Sequence, residues 1–151
     1  MDIIYVSYNS EKWIERCFGS VLKSEYDLKK VNIYVVDNHS SDHTLEKLKK
    51  IKPEMEEQVG SFQVMESQEN LGFGRGNNLG FSKGNSELVC FFNIDTELLP
   101  DTLKELEEAV DASDEKTAMW ELRQFPYEHP KNYNPLTGET TWSSGCLLYT
   151  S

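Results

Sequence analysis

Basic residues are scarce in this chain of 151 residues. Fifteen Lys and Arg stand against 26 Asp and Glu, for a formal net charge of −11 and a pI near 4.7. Binding along a phosphate backbone needs a basic face, so the composition excludes nucleic acid as the main partner. Single nucleotides stay open, because backbone N–H groups and a metal ion can hold them. Cysteine is sparse as well. Cys17, Cys90 and Cys146 are scattered and odd in number, which excludes a dense disulfide framework and fits reduced thiols in a cytosolic protein. No apolar run approaches the roughly 20 residues of a membrane-crossing helix. Met1 leads straight into a strand-like segment, so no signal peptide is visible. Repeats and low-complexity tracts are missing. So are the HEXXH, G-x-S-x-G and P-loop patterns. His39 and His43 lie four apart without the cysteines or carboxylate-bearing helix of a zinc site.

What is present is ordinary for a globular domain: 38% apolar and 27% charged residues, in a length that suits one domain, residues 1–151, with a real core. Strand-like and helix-like segments alternate. Ile3–Val6 reads as a short buried strand. It is broken at Ser7-Tyr8-Asn9-Ser10, where Asn9 or Ser10 can cap a helix. Trp13, Ile14, Cys17, Phe18, Val21 and Leu22 then fall on one helical stripe. Val31–Val36 is a second strand, and Asp42–Lys52 a second helix stopped by Pro53. Phe62–Met65 is a third strand, followed by a glycine- and asparagine-rich turn over Asn70–Gly80. Leu88–Phe92 is a fourth. Pro100-Asp101 opens a helix marked by Leu103, Leu106 and Val110, and Ala118–Leu122 reads as a fifth strand. Residues 124–140 carry three prolines and read as a long loop before the apolar stretch Trp142–Tyr149.

This alternation predicts an α/β fold with a mostly parallel sheet flanked by helices. Right-handed crossovers put the C-terminal ends of the parallel strands on one edge, where such sheets bind ligands. Each of the first four strands is followed there by small, polar or acidic residues: Ser7-Tyr8-Asn9, Asp37 to Asp42, Asn70-Leu71-Gly72 and Asn93-Ile94-Asp95. Any one group could be a plain turn. Four at one edge predict a cleft. Asp37 can accept from a base imide or a ribose hydroxyl, or it can serve as a cap or Asx-turn. Tyr8 can stack on a base or pack on the sheet edge. Arg75 faces a phosphate or solvent. The glycines of NLGFGRGNNLG allow close backbone approach, but the run is not GxGxxG. Asn93 and Asp95, two apart in an extended segment, would share a side and offer oxygen ligands to Mg²⁺ or Mn²⁺ bridging a diphosphate.

Taken in order, the blocks YVSYNS, VVDNHSSDHT, ENLGFGRGNNLGF and FFNIDTELLP resemble those of the inverting family 2 glycosyltransferases of the GT-A fold, in their bacterial rhamnosyltransferase-like branch. The last block stands in place of the usual DXD. WELRQFPYEHPKNYNPLTGETTWSSG resembles the segment before the acceptor site. The resemblance covers essentially the whole chain.

It implies a nucleotide-diphosphate sugar donor, a Mg²⁺ or Mn²⁺ ion, and inverting transfer to a glycan or lipid-linked acceptor in cell-surface polysaccharide synthesis. The expected location is the cytoplasm, at the cytosolic membrane face, with peripheral membrane association of the full-length protein. By the same resemblance, Tyr8 and Asp37 contact the nucleobase, Asn93 lies by the ribose or diphosphate, and Asp95 binds the metal. Asn77 stands where many relatives carry an arginine near the base or phosphate. Asn9, Asn38, Ser40, Asn70, Gly72 and Asn78 belong to the same substrate-binding blocks, and Trp142, Ser143, Ser144 and Gly145 begin the acceptor side. Inverting transfer needs a general base. The family's base is an Asp in an acidic motif downstream of Trp-Ser-Ser-Gly. Glu128 and Glu139 do not match it, so the base is expected beyond residue 151. The ending Cys146–Ser151 is similar to the translated end of a transposase sequencing adapter. The chain therefore reads as the N-terminal, donor-binding part of a longer frame. The alternative is a nucleotide or nucleotide-sugar binding module without chemistry.

Overall fold

The computed structural model describes residues 1–124, Leu136, and the backbone of Leu148–Thr150. Among the described residues the strands and α-helices follow in the order β1 (Asp2–Ser7), α1 (Ile14–Val21), β2 (Asn32–Asp37), α2 (Thr44–Gln58), β3 (Ser61–Glu66), α3 (Gly72–Phe81), β4 (Leu88–Asn93), α4 (Thr102–Asp111), β5 (Met119–Trp120) and β6 (Leu148–Thr150). The strands form one sheet in the order β3-β2-β1-β4-β6-β5. The first four strands in that order are parallel, whereas β6 runs antiparallel to β4 and β5 antiparallel to β6. The expected α/β fold with a mostly parallel sheet is therefore present.

The central strands are apolar almost throughout because both sheet faces are covered. Ile3, Tyr5, Ile33 and Val35 join the larger core, with Ile14, Phe18 and Val21 of α1, Leu48 and Met55 of α2, and Leu103 and Leu106 of α4. Rings interlock there edge to face, Phe18 lying 5.2 Å from Tyr5 and 5.3 Å from Phe62 between centroids. Ile4, Tyr34 and Val89 form the other, smaller cluster. The strand order explains the two sides. The chain moves outward from β1 through β2 to β3, then returns past β1 to β4. With right-handed crossovers, that reversal carries α3 to the face opposite α1 and α2.

Four expectations about the elements are corrected. The segment read as a turn over Asn70–Gly80 is helical from Gly72 to Phe81. Its glycines hide a packing role. A Cβ on Gly80 would sit 2.5 Å from Ile4 Cγ2, and one on Gly76 would sit 3.0 Å from Val6 Cγ1 and Cγ2. Glycines four apart thus let α3 lie close on the sheet, and that packing outweighs their poor helix propensity. Secondly, Pro53 does not stop α2, which runs on to Gln58. Buried Met55 and Val59 anchor the added turn to the core while Pro53 stays exposed. Thirdly, α1 is not capped by Asn9 or Ser10. Its N-cap is Trp13, without a side-chain capping bond; the Ser10 carbonyl instead accepts the Trp13 N–H at 2.9 Å. The fifth strand is shorter than read, Met119–Trp120 alone. Cys17 and Cys90 are buried free thiols, and burial pushes the Cys17 thiol up to about 12. Cys146, most of the loop read over residues 124–140 and most of the apolar stretch after it lie outside the described residues.

Candidate functional site

The loops leaving β1 and β2 are laced together by side chains. Asp37, the last residue of β2, accepts the Ser40 N–H at 3.1 Å, the Ser40 hydroxyl at 2.6 Å and the Ser7 hydroxyl at 3.2 Å. Ser40 Oγ accepts the Asn9 N–H at 3.0 Å. Asn9 takes a left-handed φ of 48°, and its Oδ1 accepts the Ser41 N–H at 2.8 Å. Asparagine suits such a position because its short polar side chain bonds locally. Further along, the Ser10 N–H donates to Thr44 Oγ1 at 2.6 Å, and Asp42 accepts from Thr44 and from the Glu11 N–H. Burial works against the charged form of Asp42, but the bonds from Thr44 and Glu11 outweigh it and hold the carboxyl below its usual range.

Asn38 fastens the loop after β3. Its Nδ2 donates to Asn70 Oδ1 at 2.8 Å, and its Oδ1 accepts the Leu71 N–H at 2.7 Å. Asn70 Oδ1 also accepts the Gly72 N–H at 2.8 Å. Gly72 turns there with φ 74°, which glycine adopts without a Cβ penalty.

β4 ends at Asn93, where the chain turns. The Asn93 carbonyl accepts the Thr96 N–H at 3.2 Å and the Thr96 hydroxyl at 2.7 Å. Asp95 lies in this turn, so the expected extended alternation of Asn93 and Asp95 is replaced by a bend. The stretch that follows is pinned to the α1 side. The Leu98 N–H donates to Ser20 Oγ at 2.9 Å, the Glu25 N–H donates to the Pro100 carbonyl at 2.6 Å, and Arg16 pairs with Glu97.

These four loops wall a cleft of about 640 Å³. It lies beyond the ends of β1 and β4, the neighbours between which the strand order reverses. Seven residues expected at the site line it: Tyr8 and Asn9 after β1, Asn38 after β2, Asn70 and Gly72 after β3, and Asn93 and Asp95 after β4. Four do not. Asp37 is 3% exposed and stands behind the wall, and Ser40 lies between it and Asn9. Asn77 and Asn78 ride on α3, five and six residues past Gly72. At about 1.5 Å per helical residue they are carried away from the edge. Trp142, Ser144 and Gly145 lie outside the described residues, as does Ser143.

Lys12, Trp13 and Phe73 also line the cleft, with Ser10 and Ile94. Sequence reasoning missed Lys12, Trp13 and Phe73 as site residues. Trp13 falls on the apolar stripe of α1 and reads as core, yet it is half-buried at the cleft. The available signal was its place between the first-strand block and the helix. Phe73 was hidden by the glycines around it.

Among the described residues no three His, Cys, Asp or Glu side chains cluster as metal ligands. Asp95 is the one carboxylate among the described residues lining the cleft. Mg²⁺ is commonly held by one or two carboxylates together with substrate phosphates. The donor set therefore fits an ion shared with a diphosphate and does not fit a self-sufficient metal centre.

A parallel α/β sheet with an open cleft at its reversal point is the architecture of ligand-binding doubly wound domains. The family is more definite. The model described as "Glycosyl transferase family 2" matches residues 2–144, and the chain belongs to that family. The poly(ribitol-phosphate) beta-N-acetylglucosaminyltransferase TarS of Staphylococcus aureus is 27% identical over 109 residues, which are 72% of this chain and 18% of TarS. This chain thus spans less than a fifth of the curated relatives it matches. The crystal structure of TarS residues 1–349 superposes with a TM-score of 0.79 at 21% identity, covering 99% of this chain and 46% of that one. TarS in complex with UDP-GlcNAc gives a TM-score of 0.65 at 27% identity over 73% of this chain and 30% of that one. A mannosyltransferase from Pyrobaculum calidifontis, solved with GDP-Man and Mn²⁺, has a TM-score of 0.73 at 19% identity over 82% of this chain and 35% of that one. The likenesses below 25% identity concern the fold, which is GT-A.

Proposed function

We propose that this chain is the donor-binding domain of a glycosyltransferase, one that moves a sugar from a nucleoside-diphosphate sugar to a glycan or lipid-linked acceptor with inversion. The observation that carries the reading is the cleft at the β1–β4 reversal, walled by Tyr8, Asn9, Asn38, Asn70, Asn93 and Asp95, in a chain of family 2. TarS, which shares 27% identity, has been solved with UDP and with UDP-GlcNAc.

In this reading the base stacks at Tyr8, whose side of the cleft is open; Tyr8 is 52% exposed. Asp37 acts behind it, through Ser40, by fixing the loop that carries Asn9. Asn93 and Asp95 face the ribose and diphosphate. Asp95 would hold Mg²⁺ or Mn²⁺, which when bound neutralises charge on the leaving diphosphate. The acceptor oxygen bonds to the anomeric carbon as the bond to the diphosphate breaks, and its proton passes to a base outside residues 1–151. Residues 1–151 form one domain that binds nucleotide without turnover. The full-length enzyme works in the cytoplasm, at the cytosolic membrane face.

Calorimetric titration of the chain with UDP, GDP and dTDP tests the reading. Saturable binding of at least one of them is expected. No binding of any would sink the donor assignment. Sugar transfer by residues 1–151 alone would sink the placement of the base.

A further inference from the structure

Lys12 is the one cation among the described residues lining the cleft, and Asp95 is the one carboxylate there. Lys12 differs from the basic residues nearby in having no carboxylate partner among the described residues. Arg16 pairs with Glu97, Lys47 with Glu15 and Lys49 with Glu66, and none of the ion pairs among the described residues takes Lys12. Its ammonium instead stands over a ring, with Nζ 4.7 Å from the centroid of Trp13. Trp13 lines the same cleft.

We propose that Lys12 is the cleft's phosphate-facing cation, recognising the diphosphate of the donor, and that Trp13 is the platform that holds its ammonium in place. The inference rests on the donor-binding reading above and adds to it a residue and a charge.

The chemistry follows from what a ring face does to an ammonium. Attraction to the π-cloud orients the charge and restrains a long, flexible stem, but consumes no acceptor lone pair. The N–H donors that do not face the ring stay open to phosphate oxygens, which Lys binds as a point charge. A salt bridge to a protein carboxylate would have cancelled that charge.

The balance of charge favours such a residue. The chain carries −11 overall, and one of its negative charges, Asp95, lines the cleft itself. An incoming diphosphate meets repulsion from both. A positive charge within the walls offsets it locally, and a concave site concentrates that effect on the ligand. The nucleoside portion carries no charge and is indifferent to it.

The test compares UDP with uridine and GDP with guanosine, titrated into the full chain with EDTA and again with Mn²⁺. With Lys12→Gln, the diphosphates should bind about tenfold more weakly while the nucleosides stay within about twofold, on the scale of one close charge pair. Lys12→Arg should restore most of the loss. Raising salt should shrink the gap between wild type and Lys12→Gln, because partly exposed charges are screened. Trp13→Leu should reproduce part of the diphosphate loss, and Trp13→Phe should recover it. The inference is overturned if Lys12→Gln leaves diphosphate affinity unchanged, or weakens nucleoside and diphosphate alike. It falls alone if wild type prefers diphosphate over nucleoside and only Asp95→Ala alters that preference. If wild type binds none of the four compounds and no dTDP either, the donor-binding reading falls with it.

Discussion

Ser40 donates its hydroxyl to Asp37 Oδ1 at 2.6 Å, and Ser40 Oγ in turn accepts the Asn9 N–H at 3.0 Å. Asp37 therefore reaches the cleft at second hand, through a serine that sets the backbone of a wall residue. A hydroxyl has one proton to give and lone pairs to receive, so the two bonds reinforce each other. The geometry separates two roles for Asp37. If it positions the loop, Ser40→Ala should weaken nucleoside binding nearly as much as Asp37→Ala. If it touches the base directly, Ser40→Ala should be almost silent. The positioning role is expected, with each variant also losing about 1–3 kcal/mol of stability from the disrupted buried network. Urea unfolding together with uridine titration reads both effects.

The glycines of α3 make opposite predictions within one helix. A methyl at Gly80 would lie 2.5 Å from Ile4 Cγ2, whereas nothing lies within 4 Å of a Cβ on Gly74. Gly80→Ala should cost about 1–3 kcal/mol by overpacking the helix against the sheet. Gly74→Ala should gain about 0.5–1 kcal/mol, because alanine loses less backbone entropy in a helix. Thermal melts of the two variants should move in opposite directions. Equal and small shifts would mean that α3 does not sit as close to β1 as described.

This helix also marks the limit of what could be read in the sequence. β1 and β2 were legible because their runs are apolar and β-branched, β4 because its run is apolar, and the polar residues after each strand end were legible as a set. NLGFGRGNNLG was not, since glycine and asparagine signal turns locally and the contact that makes them helical lies with Val6 and Ile4, far away in sequence. The same mistake displaced Asn77 and Asn78, which the helix carries away from the cleft. Trp13 failed for a related reason: an aromatic residue on a helical stripe looks like core until the packing places it at the rim. Asp37 was legible as important, but its engagement by Ser7 and Ser40 depends on how two loops fold against each other.

Acid sensitivity should trace to Asp2, at the edge opposite the cleft. Fully buried, it accepts from the Ser86 hydroxyl at 2.6 Å, the Asn32 amide at 2.8 Å, and the N–H groups of Asn85 and Ser86 at 2.8 and 2.9 Å. Burial raises its pKa, and the bonds from Ser86, Asn32 and Asn85 outweigh that and leave it lowered. A carboxylate with a depressed folded pKa contributes stability above its unfolded value, about 3.9, and loses that contribution as pH falls through the folded value. Asp2→Asn should thus be less stable than wild type at neutral pH and converge with it in acid. Urea midpoints measured from neutral to acid pH give the comparison, and a constant gap at every pH would contradict it.

The metal proposal stands on Asp95 alone, which makes it sharp. Among the described residues no cluster offers three ligands, and one carboxylate cannot hold Mg²⁺ or Mn²⁺ firmly without help from substrate oxygens. Metal and diphosphate should accordingly bind together. Mn²⁺ should tighten UDP or GDP binding, whichever the chain prefers, and should leave the matching nucleoside unaffected. Mn²⁺ without nucleotide should bind weakly. Asp95→Ala should abolish the gain from Mn²⁺, and Asp95→Asn should lose most of it, because an amide oxygen lacks the charge that offsets ion dehydration. Equal diphosphate affinity with and without Mn²⁺ would remove the ion from this site. The phosphates would then be balanced by Lys12, the one cation among the described residues lining the cleft, and the effect of Lys12→Gln would be the same in EDTA as in Mn²⁺. If the ion does bind, it shares the neutralising task, and Lys12→Gln should matter more in EDTA than in its presence.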